Sequence, residues 1–231
     1  LLRALGKVQA WKAAFEVTLL DDASSAPTTP HAPARTDPVT HLQGAFGAAA
    51  VALFGMRVDV AAVRDRVARD DPEITEVLAN YRPEFANLAS AQRVLFMESF
   101  ASNTTVVRLE LAAAGVDDHA AMALAGSLDH PGTALEVLNL SQNAIGTDGM
   151  IALALLLKEN RSLRRLKADG QRKTVGSSAE YAFVDALEEN TALHTLALDW
   201  RQVGCKARCE ARCVANGDGV RLDRVRGVSI R

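Results

Sequence analysis

The sequence predicts an α/β fold: a leucine-rich repeat solenoid of about five strand-helix repeats, with one parallel sheet and an N-terminal helical cap. Three observations support this prediction. The segment LEVLNLSQNAI at 135–145 has the pattern LxxLxLxxNxI, which is one strand-and-turn unit. The intervals between such segments show helical patterns, as in the ribonuclease-inhibitor type of repeat, which carries a full helix after each strand. The segments begin at Ile74, Val106, Leu135, Leu163 and Leu193, with spacings of 32, 29, 28 and 30 residues.

The first 70 residues precede the repeats and fall into three segments. Apolar residues recur at three- and four-residue intervals over 1–20, which predicts an amphipathic helix. Prolines among Ser, Thr and Ala indicate a linker at 21–40. Residues 41–70 predict a helical cap that ends near Pro72. We expect this cap to cover the front of the solenoid, because a repeat array leaves an apolar face open at each end. The 1–20 helix would pack outside the cap or dock on a neighbouring protein.

Residues 71–231 form the repeat domain, in which each strand should turn alternate side chains into the core. The inward positions are Val77, Ala79, Leu109, Leu111, Leu138, Leu140, Leu166, Ala168, Leu196 and Leu198. The turn position held by Asn143 is occupied by Arg82, Ala114, Gln171 and Arg201 in the other repeats. The sequence therefore has no continuous asparagine ladder, and we expect those turns to satisfy their backbone groups in another way.

Residues suited to helix N-termini follow the first four strands. They are Pro83 for EFANLASAQRVLFMESF, Asp117 for DHAAMALAGSL, Thr147 or Asp148 for GMIALALLLKEN, and Ser177 with Glu180, as a capping box, for YAFVDALEEN. Each repeat is thus predicted to run strand, turn, helix and return.

Two features mark the C-terminal end. Leu222 lies 29 residues after Leu193, and LDRVRGV predicts a last, weaker strand. Cys205, Cys209 and Cys213 are spaced four apart and line one helical stripe. Zinc could use three thiolates, but it requires a fourth ligand and usually a tighter cysteine pair. We favour small apolar side chains that pack a helix onto the strands, since free cysteine is commonly buried.

Composition limits the classes of partner. The 231 residues are 48% hydrophobic and 23% charged, with a net charge of −2, so neither nucleic acid nor an acidic membrane surface is expected as the main partner. The longest apolar run, 45–56, is shorter than the roughly 20 residues of a membrane-spanning helix. Three cysteines in one short segment form no disulfide framework, which favours a reducing cytoplasm.

The sequence shows no pattern of a catalytic, metal or cofactor site. The five histidines are scattered, and no catalytic triad, HExxH or phosphate-binding loop is present. We therefore predict a protein that is not an enzyme. Asn103 and Asn160 match the glycosylation sequon, but both end a predicted helix, where asparagine is a favoured left-handed cap. We favour the cap.

Two surfaces could bind a partner. The outward strand positions form a concave face of mixed charge, which is either a protein-binding surface or a simply solvated one. Its positions are Glu76, Leu78, Asn80, Arg108, Glu110, Ala112, Val137, Asn139, Ser141, Arg165, Lys167, Asp169, Thr195, Ala197 and Asp199. The polar, basic loop GQRKTVG at 170–176 is either a repeat-specific loop or a site at which Gln171, Arg172 and Lys173 contact an acidic partner surface.

The C-terminal half resembles the leucine-rich repeat domain of the tropomodulin and leiomodin family over about Asp71 to Asp218. The residues that carry the resemblance are Gln171 and Arg172 after the fourth strand, then Gly176, Glu180, Leu187 to Asn190, Trp200, Gly204 and Arg208. Lys206 and Cys205 stand where the family has arginine and proline. The resemblance implies a curved five-repeat domain that binds actin at the slow-growing filament end. We match 1–69 to neither of the helical regions that precede this domain in tropomodulins.

We thus expect a non-enzymatic cytoskeletal interaction module that binds actin or another filament. The candidate contact residues are Gln171, Arg172, Lys173, Trp200, Arg201, Arg208 and Arg212. Two alternatives stay open. The repeat fold could act as a scaffold in a filament or axonemal assembly, docked through the 1–20 helix. It could also act as an enzyme regulator of the ribonuclease-inhibitor or GTPase-activating kind, which would require a strongly charged concave face or a dedicated arginine.

Overall fold

The computed structural model of the chain describes the backbone of residues 58–226 and the side chains of residues 58–217. The predicted segments 1–20 and 21–40, and most of 41–70, lie outside the described residues. The helices are α1 (Val60–Ala68), α2 (Pro83–Ala86), α3 (Ser90–Glu98), α4 (Asp118–Ser127), α5 (Thr147–Glu159), α6 (Ser177–Glu189) and α7 (Val203–Arg226). The strands are β1 (Glu76–Leu78), β2 (Arg108–Glu110), β3 (Val137–Asn139), β4 (Arg165–Lys167) and β5 (Thr195–Ala197).

The five strands form one parallel sheet in chain order, as the repeat pattern predicted. The central inward residues are direct partners across the sheet, which confirms the register: Val77, Leu109, Leu138, Leu166 and Leu196. Leu109 and Leu138 are completely buried. The helices of successive repeats pack side by side and cover these inward side chains, so each repeat shields the core of the next from water.

The first repeat departs from the predicted single helix. The chain after Pro83 forms two helices, α2 and α3, separated by Asn87–Ala89. Phe85 of α2 packs edge-on against Phe96 of α3, with ring centroids 5.1 Å apart. The break lets Phe85 reach this buried cluster, and Pro83 occupies the helix start as predicted.

The C-terminal end also differs from the prediction. Residues 222–226 continue α7, so the proposed sixth strand is wrong. Helix α7 contacts both α6 and β5 and takes the place of another repeat at this end of the sheet. Among residues 58–226, no helix combines the length and apolar character needed to cross a membrane.

Three buried asparagines lie at the returns from helix to strand. Asn103, Asn160 and Asn190 each accept hydrogen bonds from backbone amides up to three residues ahead, where the next strand segment begins. Asn190 also donates to the carbonyl oxygen of Leu157 in the preceding repeat, at 2.6 Å. The prediction of a left-handed cap is wrong, because Asn160 has φ −69° and ψ 130°. The asparagine side chain, not the backbone conformation, closes these returns.

Candidate protein-interaction surface

The loops after β4 and β5 lie side by side at the carboxyl ends of the strands. We call these loops, residues 169–176 and 199–202, the turn edge. The carboxylate of Asp199 accepts hydrogen bonds from the backbone amides of Gly170 and Gln171, at 2.6 and 3.2 Å. This contact ties the two loops together, so the structure brings Gln171, Arg172 and Lys173 near Trp200 and Arg201.

Gln171 takes the role that Asn143 has one repeat earlier. The Asn143 amide donates to the Leu111 and Leu140 carbonyl oxygens, at 2.8 and 2.9 Å, and accepts from Val116. The Gln171 amide repeats this pattern one repeat later: it donates to Leu140 and Ala168 and accepts from Ile145. The polar side chain of Gln171 is therefore used inside the turn. It shapes the loop and has little capacity left for a partner.

Arg172 and Arg201 are exposed cations of the turn edge. The backbone amide of Arg172 donates to the Asn143 carbonyl oxygen at 2.8 Å, which fixes the base of its side chain. Neither guanidinium has an ion-pair partner among the described residues. Trp200 lies half-buried beside Arg201. An aromatic side chain on the same edge as two arginines without ion pairs is a composition typical of protein-binding hot spots.

Lys173 is held by an acidic residue two repeats away. Its Nζ lies 2.7 Å from Oδ2 of Asp118, at the start of α4. Burial opposes ionisation of Asp118, but hydrogen bonds from Lys173 and from the Gly146 and Gly149 amides keep the pKa of this carboxyl below its ordinary value. The Asp118 hydrogen bond likewise raises the pKa of Lys173. Lys173 thus anchors the loop, which makes it less available to a partner than Arg172.

The same aspartate caps the next helix. Oδ1 of Asp118 accepts from the backbone amides of Gly146 and Gly149, at 2.6 and 3.1 Å. The predicted capping by Thr147 or Asp148 is wrong, because Gly146 is the N-cap and has no side chain for this role. A Cβ at Gly149 would lie 2.9 Å from Asp118 Oδ1, so glycine permits this close approach. The predicted cap at Asp117 is confirmed, with Ala120 as its donor.

Glu180 holds the second loop of the turn edge. Its carboxylate is 3% exposed and accepts from the backbone amides of Arg201 and Gln202, at 3.0 and 2.9 Å. The predicted capping box of Ser177 and Glu180 is therefore wrong. Gly176 is the N-cap of α6, and its amide donates to the Thr147 hydroxyl at 2.8 Å. The carboxylate reaches across to the loop after β5 and orients the two residues that follow Trp200.

Arg208 and Arg212 form a separate group on α7. Arg208 pairs with Glu188, and Arg212 donates to the carbonyl oxygens of Leu187 and Glu188, at 2.9 and 2.6 Å. These acceptors lie at the C-terminal end of α6, eight residues from Glu180, or about 12 Å along a helix. Basic groups near a helix C-terminus interact favourably with the helix dipole and so stabilise the helix. The structure thus does not bring Arg208 and Arg212 together with the turn edge.

The cysteine stripe lies in the core between α7 and the last repeat. Cys205, Cys209 and Cys213 are all buried, which confirms the packing interpretation. Burial raises the pKa of Cys209 to about 12 and that of Cys213 to about 11. Within the described part of the chain, no cluster of His, Cys, Asp and Glu could hold a metal ion.

The residues that build the turn edge were largely missed by the sequence reasoning. Asp118 and Asp199 act on other repeats, and nothing in the local pattern marks them. The sequence pattern marks Glu180, but for a capping contact within α6 and not for its hydrogen bonds to the loop after β5. The repeat period does indicate the role of Gln171, because this residue occupies the turn position of Asn143. Its side chain is one methylene longer but carries the same amide group.

The stacked strand, turn and helix units, closed at the C-terminal end by α7, define a leucine-rich repeat domain of the solenoid class. The family model for the TMOD/LMOD leucine-rich domain matches residues 56–219. The chain therefore belongs to the tropomodulin and leiomodin leucine-rich domain family, as the resemblance predicted. The match begins ahead of Asp71, so the domain also includes α1 and extends further forward than the resemblance we identified.

Individual relatives agree with this assignment. Chicken leiomodin-2 is 31% identical over 161 residues, which are 70% of this chain and 28% of that protein. Human leiomodin-1 is 34% identical over 140 residues, which are 61% of this chain and 23% of that protein. The chain thus spans under a third of the length of these relatives.

Solved structures show the same fold. The structure described as leiomodin-1 actin-binding site 2 has a TM-score of 0.66 at 29% identity, covering 74% of this chain and 97% of that chain. The C-terminal domain of tropomodulin from Caenorhabditis elegans has a TM-score of 0.64 at 25% identity, covering 73% and 99%. The chain thus includes the counterpart of nearly the whole of each of these domains.

Proposed function

We propose that this domain is a non-enzymatic, cytoskeletal protein-interaction module that binds actin. The observation that carries the proposal is the likeness to leiomodin-1 actin-binding site 2, which covers 97% of that chain. The family assignment supports it. No relative described above points to an axonemal assembly, so actin is the filament we propose.

The turn edge is the surface that we propose for this contact. Arg172 and Arg201 are exposed and have no ion pair among the described residues, and they share the turn edge with Trp200. Their backbones are held by Asn143 and Glu180, so the surface is largely ordered before binding. A preorganised surface loses less conformational entropy on association. Gln171 and Lys173 would act indirectly, by shaping the loop.

Arg208 and Arg212 take a different part in the proposal. Both are engaged with the end of α6, so we assign them to the docking of α7. Removing either residue should therefore lower the stability of the domain more than its affinity for actin. This distinguishes them from Arg172 and Arg201.

Pointed-end elongation of pyrene-labelled actin, seeded by gelsolin-capped filaments, tests the proposal directly. We expect the protein to slow elongation at micromolar concentration, since a ligand bound at that end blocks subunit addition. The Arg172→Ala/Arg201→Ala variant should bind actin at least about tenfold more weakly, which corresponds to 1.4 kcal/mol. Unchanged elongation with the wild-type protein, together with no binding to monomeric actin by fluorescence anisotropy, would overturn the proposal.

Arg69→Ala is the matched control. Arg69 is an exposed arginine that follows α1, at the opposite end of the domain from the turn edge. This variant should bind actin as tightly as the wild type. An equal loss in Arg69→Ala and in the turn-edge variant would show that only overall charge matters, and would exclude the turn edge as the site.

A further inference from the structure

We propose that the concave face of β3, β4 and β5 binds an acidic peptide segment in extended conformation, through Arg165 and Lys167. This surface lies on the strands, whereas the turn edge lies on the loops that follow them. The inference goes beyond the proposed function and holds whether or not the domain binds actin.

The acidic groups of the concave face are satisfied within the domain. The Glu110 carboxylate accepts from the amides of Asn80 and Asn139, at 2.8 and 2.9 Å. Burial opposes its ionisation, but these two hydrogen bonds and the charges of Arg108 and Lys167 keep the pKa of Glu110 below its ordinary value. Glu110 is thus charged at neutral pH, and its hydrogen-bonding capacity is largely used.

The other carboxylates on this face are engaged in the same way. Asp169 accepts from the Ser141 hydroxyl at 2.7 Å, and Asp199 accepts from the Gly170 amide at 2.6 Å. Glu76 lies 3.9 Å from Arg108, which is close enough for an ion pair. The aspartates and Glu110 are turned toward internal donors, and Arg108 has a carboxylate beside it.

Two cations on β4 have no such partner. Arg165 and Lys167 are exposed on either side of the buried Leu166, so they project from the same face of the strand. Neither side chain has a hydrogen bond or ion pair within residues 58–217. The concave face of β4 therefore carries two exposed positive charges without a direct ion pair, and that of Lys167 acts on Glu110 only at longer range.

The neighbouring strands leave room beside these cations. Arg165 is paired in register with Val137 of β3 and Thr195 of β5, and Lys167 is paired with Asn139 and Ala197. Four side chains of modest size thus surround two long ones. An extended ligand can lie along β4 without displacing a bulky group.

The spacing of Arg165 and Lys167 matches that of carboxylates in an extended peptide. Residues two apart on a strand lie about 6.6 Å apart on one face. An extended Glu-x-Glu segment places its carboxylates at the same interval, so both can pair with β4. The net charge of the protein is −2, which does not favour general attraction of acidic peptides. Binding of such a peptide would therefore report the local pair.

Fluorescence anisotropy with a fluorescein-labelled peptide of alternating Glu and Thr tests the proposal. We expect saturable binding at low ionic strength that weakens as salt is added. The Arg165→Glu/Lys167→Glu variant should lose about tenfold or more in affinity for this peptide. It should instead bind the matching peptide of alternating Lys and Thr, which the wild type should not bind.

The Arg69→Glu variant serves as the control, because it reverses an exposed charge away from the sheet. Its affinity for the acidic peptide should equal that of the wild type. No binding by the wild type at millimolar peptide would overturn the proposal, and so would an equal loss in the control. Circular dichroism and thermal unfolding of the charge-reversal variant establish that the fold is retained. If it is not, Arg165→Gln/Lys167→Gln replaces it in the same measurement.

Discussion

The buried carboxylate of Glu180 holds the backbone of Arg201, 21 residues further along the chain, at a distance of 3.0 Å. Glu180 lies in the first turn of α6, and Arg201 lies between β5 and α7. One side chain of the fourth repeat thus positions the loop that ends the fifth. The proposed actin-binding surface depends on this contact between repeats.

Replacing Glu180 with glutamine should loosen that loop. Glutamine has one acceptor oxygen, and its NH₂ group would face a second backbone donor, so one amide loses its partner. We expect the free energy of unfolding to fall by about 1.5 to 3 kcal/mol, the range for a hydrogen bond to a charged group. Hydrogen exchange at residues 200–203 should become faster.

The control for Glu180→Gln is Asp185→Asn, which removes an exposed charge from the same helix. It should change the free energy of unfolding by no more than about 0.5 kcal/mol. If exchange at 200–203 stayed as slow in Glu180→Gln as in the wild type, Glu180 would not be the residue that holds the loop.

Leu138→Ala should lower the free energy of unfolding in denaturant by about 2 to 5 kcal/mol, because a fully buried leucine is replaced by a cavity. Val137→Ala is the matched change on the same strand, where the side chain is partly exposed on the concave face. Its cost should be clearly smaller. A loss below about 1 kcal/mol for Leu138→Ala would contradict the packing of a buried leucine row.

Gln171 and Arg172 are adjacent but should respond to mutation in different ways. Gln171→Ala leaves the carbonyl oxygens of Leu140 and Ala168 without this donor, and we expect destabilisation of about 1 to 3 kcal/mol. Arg172→Ala removes an exposed side chain and should leave the unfolding midpoint almost unchanged. Thermal unfolding of the two variants compares them directly. Equal stability would mean that the Gln171 amide does not support the turn.

Asp118 should make stability depend on pH in the acid range. Its folded-state pKa is below the ordinary value of 3.8, so its contribution is present above that value and is lost as pH falls through the folded pKa. The stability difference between wild type and Asp118→Asn should therefore be large at neutral pH and shrink below about pH 4. Urea unfolding of both proteins across this range measures it, and a constant difference would contradict the role of the charge.

The thiols of α7 should be protected in the folded protein. Burial raises the pKa of Cys209 to about 12 and that of Cys213 to about 11, so very little thiolate is present near pH 8. Alkylation should be slow in the folded state and rapid after denaturation. Rapid reaction of Cys209 in the native protein, identified by peptide mass mapping, would show that α7 is not packed as described.

The strands and the leucine row could be predicted because they depend on a local, repeated pattern. Leu109, Leu138 and Leu166 recur at nearly constant spacing, and stacking the repeats in register buries all three. The break between α2 and α3 could not be predicted in this way. It depends on Phe85 reaching Phe96, a contact that no periodicity in this segment indicates.

The candidate surface was predicted only in part. Arg172, Trp200 and Arg201 were identified by residue type and by family resemblance, and the structure places them on adjoining loops. Arg208 and Arg212 stand among the same candidate contact residues in the sequence analysis, Arg208 through the family resemblance. Their acceptors at the end of α6 could be recognised only once α7 had been placed beside that helix.

The sequence by itself determined the repeat length, the inward leucines and the parallel order of the strands, since these follow from the spacing of apolar residues along the chain. The tertiary structure alone decided which polar side chain closes which turn. Asp118, Glu180 and Asp199 each bind backbone amides at least 21 residues away, and such partners depend on how the repeats stack. Burial of apolar surface is proportional to area and needs no exact partner, whereas a hydrogen bond requires two atoms at one distance and angle.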